Sequence, residues 1–501
     1  MNSGANQLSF TFTPAYSSLT PGPGNPYYLS GLLSELDSPG EWFLDTVSFK
    51  LYLWTPGGDS PMQHQVEAKR RKFTFDLSGL SFVTIQGLNL VAAGVNSDSQ
   101  SQYLVLDGLN AKYISHYSVI SGQPWYVGFQ TGIYLNGNYN VIRNSTIAFS
   151  AGTGVGLNGT GHRAFNNVIH DTDYNGTYAS PLMAGPIASS NLVIAYNAIY
   201  NSARFGIYHP NFSSGRILHN EIHNIGLQTS DLGATYTGNS DGQGSEIGYN
   251  LIHDNVGLPT CYYSPNCTDP SFYLDAGIYL DNGSSNYVVH HNVVWNNPIA
   301  IILNSPSTNN KVYNNTFIGS NTDLGAPYSV SGPVTLRGTA IENNIFTNPL
   351  PATPEAVVQN NILSGTDPDF VDPADHNYQL IPTSPAIGVG LALPPWTNGY
   401  SGSGPDIGAY DHTKPPWKAG VQNAATVSAP SYAPTLTRGT VAVVTGSVAF
   451  DSGVSVLLTD GAGVDWSAPL LYVVASPPQL AFRVPSATAL GVAMITITNG
   501  D

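Results

Sequence analysis

From about Phe73 to Asn360 the chain is built of short apolar and β-branched runs separated by Asn, Gly and Ser, as in FDLSGLSFVTIQGLNLV, YLVLDGLNAKYIS and NYNVIRNSTIAFS. That alternation predicts short strands and turns, and no long stretch carries a helical period. A polar residue followed two positions later by an apolar one can be aligned at Ser145, Asn167, Asn197, Asn220, Asn250, Asn292, Asn315, Asn343 and Asn360. The successive spacings are 22, 30, 23, 30, 42, 23, 28 and 17 residues. A unit of about 22 residues cannot bury its inner face until neighbours stack on it, so the pattern predicts an all-β fold, a right-handed parallel β-helix. The recurring Asn then form a ladder of stacked side-chain amides. His170, His223, His253 and Trp295 each stand three residues after an aligned Asn, which gives them a structural reason to recur.

Departures from the period carry more information about function. Extra residues fall between Asn167 and Asn197, between Asn220 and Asn250, and most of all between Asn250 and Asn292. Loops inserted in nearby coils project from a solenoid and wall a cleft, which is expected over the central coils. These insertions bring acids (Asp231, Asp241, Asp275) together with aromatic faces for sugar rings (Tyr262, Tyr263, Tyr273). His209, His290 and His291 lie outside the repeated position and are candidate sugar contacts.

Residues 1–60 read as a turn-rich segment holding one β-hairpin, GEWFLD and KLYLW, with Trp42 and Trp54 expected in its core in preference to the alternative of sugar platforms. Residues 61–412 are assigned to the helix and 413–420 to a linker. Residues 421–501 change to alternating strands at sandwich spacing and read as an immunoglobulin-like accessory module, whose last strand ends as if cut. The polar start, MNSGANQLSF, is no signal peptide, and no run is apolar enough to span a membrane.

The formal net charge of −16 over 501 residues disfavours nucleic acid and anionic lipid as partners. The basic run Lys69 to Lys72 reads as a solvated hairpin face rather than a phosphate site. Cys261 and Cys267 are six positions apart with no further ligand at metal spacing, so a local disulfide and an oxidising, extracellular compartment are expected. Calcium enters only as a structural ion, since no EF-hand spacing is present, and neither a catalytic metal nor another cofactor is called for. A monomer acting on carbohydrate is the expected state.

Between Arg216 and Lys311 there is no Lys or Arg, yet the segment holds Glu221, Asp231, Asp241, Glu246, Asp254, Asp269, Asp275 and Asp281. Carboxylates grouped without counter-charge raise one another's pKa, as acid and base work on a neutral substrate requires. Glycoside hydrolysis needs one carboxylic acid for the leaving oxygen and one carboxylate as base or nucleophile. Asp231 and Asp281 are the chosen pair, with Asp241, Glu246 and Asp275 as substitutes. Asp281 opens Asp-Asn-Gly, which is also a strong turn signal. Two rivals stand beside this reading: a polysaccharide lyase or uronate epimerase, for which the central coils offer no basic residue, and a glycan-binding surface protein without activity.

The words GEWFLD, GSEIGYNLIHDN and AGIYLDNGSSNYVVHHNVVWNN resemble those of bacterial β-helix glycosidases of glycoside hydrolase family 141, over roughly Gly40 to Asp411. The resemblance implies a secreted hydrolase of α-L-fucoside or xylan-like substrates. In the family, Asp-Gly-Gly followed by Ile-Tyr precedes Gly-Ile-Tyr-Leu-Asp; here the first is similar to Ser230–Tyr236, with Leu232 for a glycine, and the second to Gly277–Asp281. It thus implies Asp231 and Asp281 as the catalytic pair; Tyr236 and Tyr279 in the same segments are candidate substrate contacts. GVQNAA, LLYVV and LAFRVP look like a β-sandwich module common on secreted proteins of soil bacteria.

Overall fold

The computed structural model describes residues 2–4, 7–9, 29, 31–116, 131–174, 176–258, 274–319, 321–325, 334–414, 416–421 and, in stretches, 424–498. Between Phe73 and Gln359 the described strands form three parallel sheets of eleven, eleven and ten strands, visited in rotation by successive coils. This is a right-handed parallel β-helix. No helix among the described residues is long and apolar enough to cross a membrane.

The first sheet is stacked in register. Ile133, Val155, Leu182, Ile207, Thr235, Ile278, Ile301 and Leu324 form one buried column, pointing inward. Because β side chains alternate, the next residue of each strand faces out, giving a column through Tyr134, Gly156, Met183, Tyr208, Tyr236, Tyr279 and Ile302. Within the first-sheet strand Asp275–Asp281, a Cβ at Gly277 would lie 2.6 Å from Val294 Cγ1 and 2.8 Å from the Ala300 carbonyl. Only glycine lets the chain pass that close to the interior.

Corners elsewhere repeat at five-residue intervals in the left-handed region, as at Asn191, Tyr196 and Asn201 (φ 55°, 56° and 55°). Directly after the middle corner comes the amide ladder, Asn167, Asn197, Asn220, Asn250, Asn292 and Asn315, all fully buried. Each Oδ1 accepts the backbone N–H of the same position one coil earlier, as Asn250 does from Asn220 at 2.9 Å. The last two rungs differ from expectation: the ladder continues through Asn344 and Asn361, while Asn343 and Asn360 are the corner residues before them, at φ 59° and 51°.

Between Ala424 and Thr498 the described strands form two antiparallel sheets of four and three strands around their own core, including Val444, Val456, Leu458, Leu480 and Phe482. The residues through Lys72 fall in a separate compact unit. Its hairpin pairs Trp42–Asp45 with Lys50–Leu53. Trp42, expected in the hairpin core, is 58% exposed, and Trp54 is also exposed, because the two strands have no second layer of their own. The basic run Lys69 to Lys72 is exposed as expected, although in irregular chain rather than a hairpin.

Candidate active site

Two adjacent first-sheet strands, Leu232–Gly238 and Asp275–Asp281, bring three of the five candidate acids together. Leu232 pairs with Asp275, Tyr236 with Tyr279 and Gly238 with Asp281. Asp231 immediately precedes the first strand, and Asp281 closes the second.

Asp281 is 7% exposed and surrounded by donors. The Tyr236 hydroxyl donates to Oδ2 at 2.8 Å, and Oδ1 accepts from the Asn304 amide at 2.6 Å and from the Asn282 backbone N–H at 2.9 Å. Three donors and no acceptor suit this group to work as a carboxylate. Its turn role is real as well, since its backbone carbonyl accepts from Ser284 N at 3.1 Å.

Asp231 is placed differently. Its side chain is 37% exposed, the most open of the three. Its backbone takes the left-handed conformation (φ 58°), which Asp tolerates better than most residues. Burial of its surroundings raises its pKa, and the charge of Asp281 adds to the rise; the Arg204 guanidinium and the Tyr279 hydroxyl oppose it. Arg204 Nη2 donates to the Asp231 carbonyl at 2.9 Å and lies 3.8 Å from Oδ2. That guanidinium lies over the rings of Tyr178 and Phe205, 4.1 and 4.8 Å from their centroids.

Asp275 is 1% exposed and neither carboxylate oxygen has a hydrogen-bond partner. Burial, and then the charge of Asp231, push its pKa well above the ordinary carboxylate value; Arg204 and the Asp231 backbone N–H oppose this. Tyr279 lies between the acids, its own ionisation suppressed by burial and by both Asp231 and Asp281.

The remaining candidates fall elsewhere. Asp241 caps an exposed turn, accepting from Gln243 N at 3.0 Å and the Asn286 amide at 2.8 Å. Glu246 is on the second sheet, paired in register with Arg216 and 3.7 Å from His290 Nε2. His290 is buried on that same sheet, and His291 stacks on Tyr249 at 4.8 Å. His209 lies in the solenoid interior with both ring nitrogens unpartnered, its pKa lowered to about 3 by burial. Its place is inside the coil rather than over the acids. Tyr273, Tyr262, Tyr263, Asp269, Cys261 and Cys267 lie outside the described residues.

Arg204 and Arg216 correct the expectation of an acid patch without counter-charge, and Arg204 equally corrects the view that the central coils lack a basic residue. A charge-free interval measured along the chain hides Arg204 and counts Arg216 only as its boundary. Stacking sets Ile207 beside Thr235, and so brings residue 204 against the Asp231 loop. Asn304 escapes sequence reasoning likewise, although it stands 23 residues after its partner Asp281, one short coil.

Residues 131–317 match the family described as right handed beta helix region. No curated protein matches the sequence. Solved structures with a similar chain path include a glycoside hydrolase at 14% identity and TM-score 0.41, covering 66% of this chain and 57% of that one. The Azotobacter vinelandii mannuronan C-5 epimerase AlgE4 A-module is similar at 15% and 0.38, covering 50% and 65%. XylC in complex with xylose is similar at 12% and 0.38, covering 68% and 66%. The chain thus spans less than two thirds of each of these structures, and the likeness is one of fold alone.

Proposed function

We propose that the chain is a glycoside hydrolase of neutral glycans, with Asp231 as proton donor and Asp281 as the working carboxylate. The observation that supports this is the asymmetry of the pair: three donors on Asp281, and a raised pKa on the more open Asp231. In the reaction the Asp231 proton passes to the glycosidic oxygen as its bond to the anomeric carbon breaks. Asp281 either takes a proton from the attacking water or itself bonds to the anomeric carbon. No cofactor is required, and a polymeric substrate of the fucoside or xylan type, suggested by the sequence resemblance, places the work outside the cell.

A lyase or epimerase reading is favoured by one observation, the presence of Arg204. Its guanidinium, however, is engaged by the Asp231 carbonyl and two aromatic rings. The test is hydrolysis of aryl glycosides and plant-wall polysaccharides by the wild type, Asp231→Asn and Asp281→Asn. The expected result is saturated, reducing products from the wild type and a loss of on the order of 100-fold or more in kcat in either variant. Unsaturated, ultraviolet-absorbing products would replace this reading with elimination; binding without turnover would leave a lectin-like role.

A further inference from the structure

Asp231 projects from a left-handed backbone at a strand start, a conformation that needs holding from outside the residue. Two buried groups flank it. Arg204, with a side chain 12% exposed, donates to its carbonyl at 2.9 Å. Asp275 comes from the neighbouring strand, where Leu232 N donates to the Leu274 carbonyl at 3.0 Å and fixes the register. Among the described residues the Asp275 carboxyl has no hydrogen-bond partner, and the Arg204 charge and the Asp231 backbone N–H are what draw it toward ionisation. On its other side the chain closes in: a Cβ at Gly257 would lie 2.4 Å from the Asp275 Cγ.

We propose that Arg204 and Asp275 are positioning residues for Asp231, the guanidinium holding its backbone carbonyl and Asp275, buried as a neutral acid on the strand paired with Leu232, packing beside the strand start, so that Asp231 is the proton donor. This rests on the hydrolase reading of the site. A carboxylate at position 275 would be buried without a donor, so the neutral acid is the form that fits. The charges facing this group are Asp231 from the preceding coil, Arg204 from the coil before that and Asp281 at the far end of its own strand. Asp173, buried one coil further back, is drawn toward ionisation by the same Arg204. The guanidinium therefore serves several acids.

The distinguishing experiment combines pH profiles of kcat/KM with carbon-13 carboxyl titration of the full chain, the Asp231 resonance being assigned by its loss in Asp231→Asn. Arg204→Gln is expected to lower kcat by on the order of 10- to 100-fold. It is also expected to move both the alkaline limb and the Asp231 titration to higher pH, since the opposing cation is gone. Asp275→Ala should lose kcat to a similar extent, and Asp275→Asn, neutral and of the same shape, should restore most of it. An Asp275→Asn variant as impaired as Asp275→Ala, or an Asp231 titration unmoved by Arg204→Gln, would overturn the proposal. Absence of glycan turnover by the wild type would instead defeat the hydrolase reading, with the carboxyl titration still deciding whether Arg204 acts on Asp231.

Discussion

Asp275 and Asp281 stand on one strand, six residues apart, in opposite electrostatic surroundings. One has three hydrogen-bond donors and the other has none. The difference has a consequence for stability. The pKa of Asp275 in the fold lies above its unfolded value, so between the two the native state binds more protons than the unfolded chain. Its contribution is fully present below about pH 3.8 and is lost as pH rises through the native value. Asp173 is buried in the same sense and acts in the same direction. Asp275→Asn is therefore expected to flatten the fall of the thermal midpoint with rising pH, leaving the slope due to Asp173. Calorimetry across the acid-to-neutral range checks this, and midpoints of variant and wild type that run parallel at every pH would contradict it. On the other carboxylate, Asn304→Ala removes its shortest donor, and kcat is expected to fall by on the order of 10-fold with the fold retained.

At the scale of the coil, the amide ladder does what apolar packing cannot. Asn250 accepts from the Asn220 backbone and side chain at 2.9 and 3.0 Å, and donates to the Ile217 carbonyl and to Asn292 Oδ1, both at 2.9 Å. Asn250→Ala leaves several buried groups of neighbouring coils unsatisfied, so a loss of about 3 kcal/mol or more in unfolding free energy is expected from denaturant titration. A half-buried corner such as Asn224→Ala, whose amide makes one long bond to Asn201, should cost a small fraction of that. The spacing of these Asn makes the helix legible in the sequence, because one buried position per coil has to be polar in the same way each time. The register error at the last rungs has an equally physical cause. Corner and rung are successive residues, and where both are Asn, as at 343–344 and 360–361, composition cannot say which has the left-handed backbone. His170, Tyr200, His223, His253 and Trp295 stack face to face along the third sheet, with centroids 4.3 to 5.0 Å apart. Their periodic place is structural, as their common offset from the aligned Asn implies.

Across the whole molecule, what the sequence hides is proximity between coils. The proposed pair, Asp231 and Asp281, can be picked out in the sequence because each sits at a strand end in a recognisable word. Arg204 and Asn304 belong to coils above and below, and they become visible only when one coil length is added or subtracted. The C-terminal sheets raise a different question, whether they are needed for that site. Their core and the core of the solenoid share no residue. A polar link between them runs from Arg163 Nη2 to the Asp460 carbonyl at 3.1 Å, with the Arg163 Nη1 atom unpartnered. Burial lowers the pKa of that guanidinium to about 10 against the opposing charges of Asp460 and Asp465, so the link comes at the cost of desolvating a cation. The segment before the sheets, by contrast, is bound to the solenoid: Gly420 N donates to the His219 carbonyl at 2.9 Å, His219 Nδ1 meets the Lys418 carbonyl at 2.9 Å, and the Trp417 indole donates to the Ala409 carbonyl at 3.0 Å. A chain ending after Gly420 should therefore keep the melting transition of the helix, lose a separate transition belonging to the sandwich, and retain its kcat on soluble glycosides. Calorimetry and turnover of the shortened chain measure this directly. A single transition in the full chain, or a shortened chain that no longer melts cooperatively, would mean that the two cores fold as one.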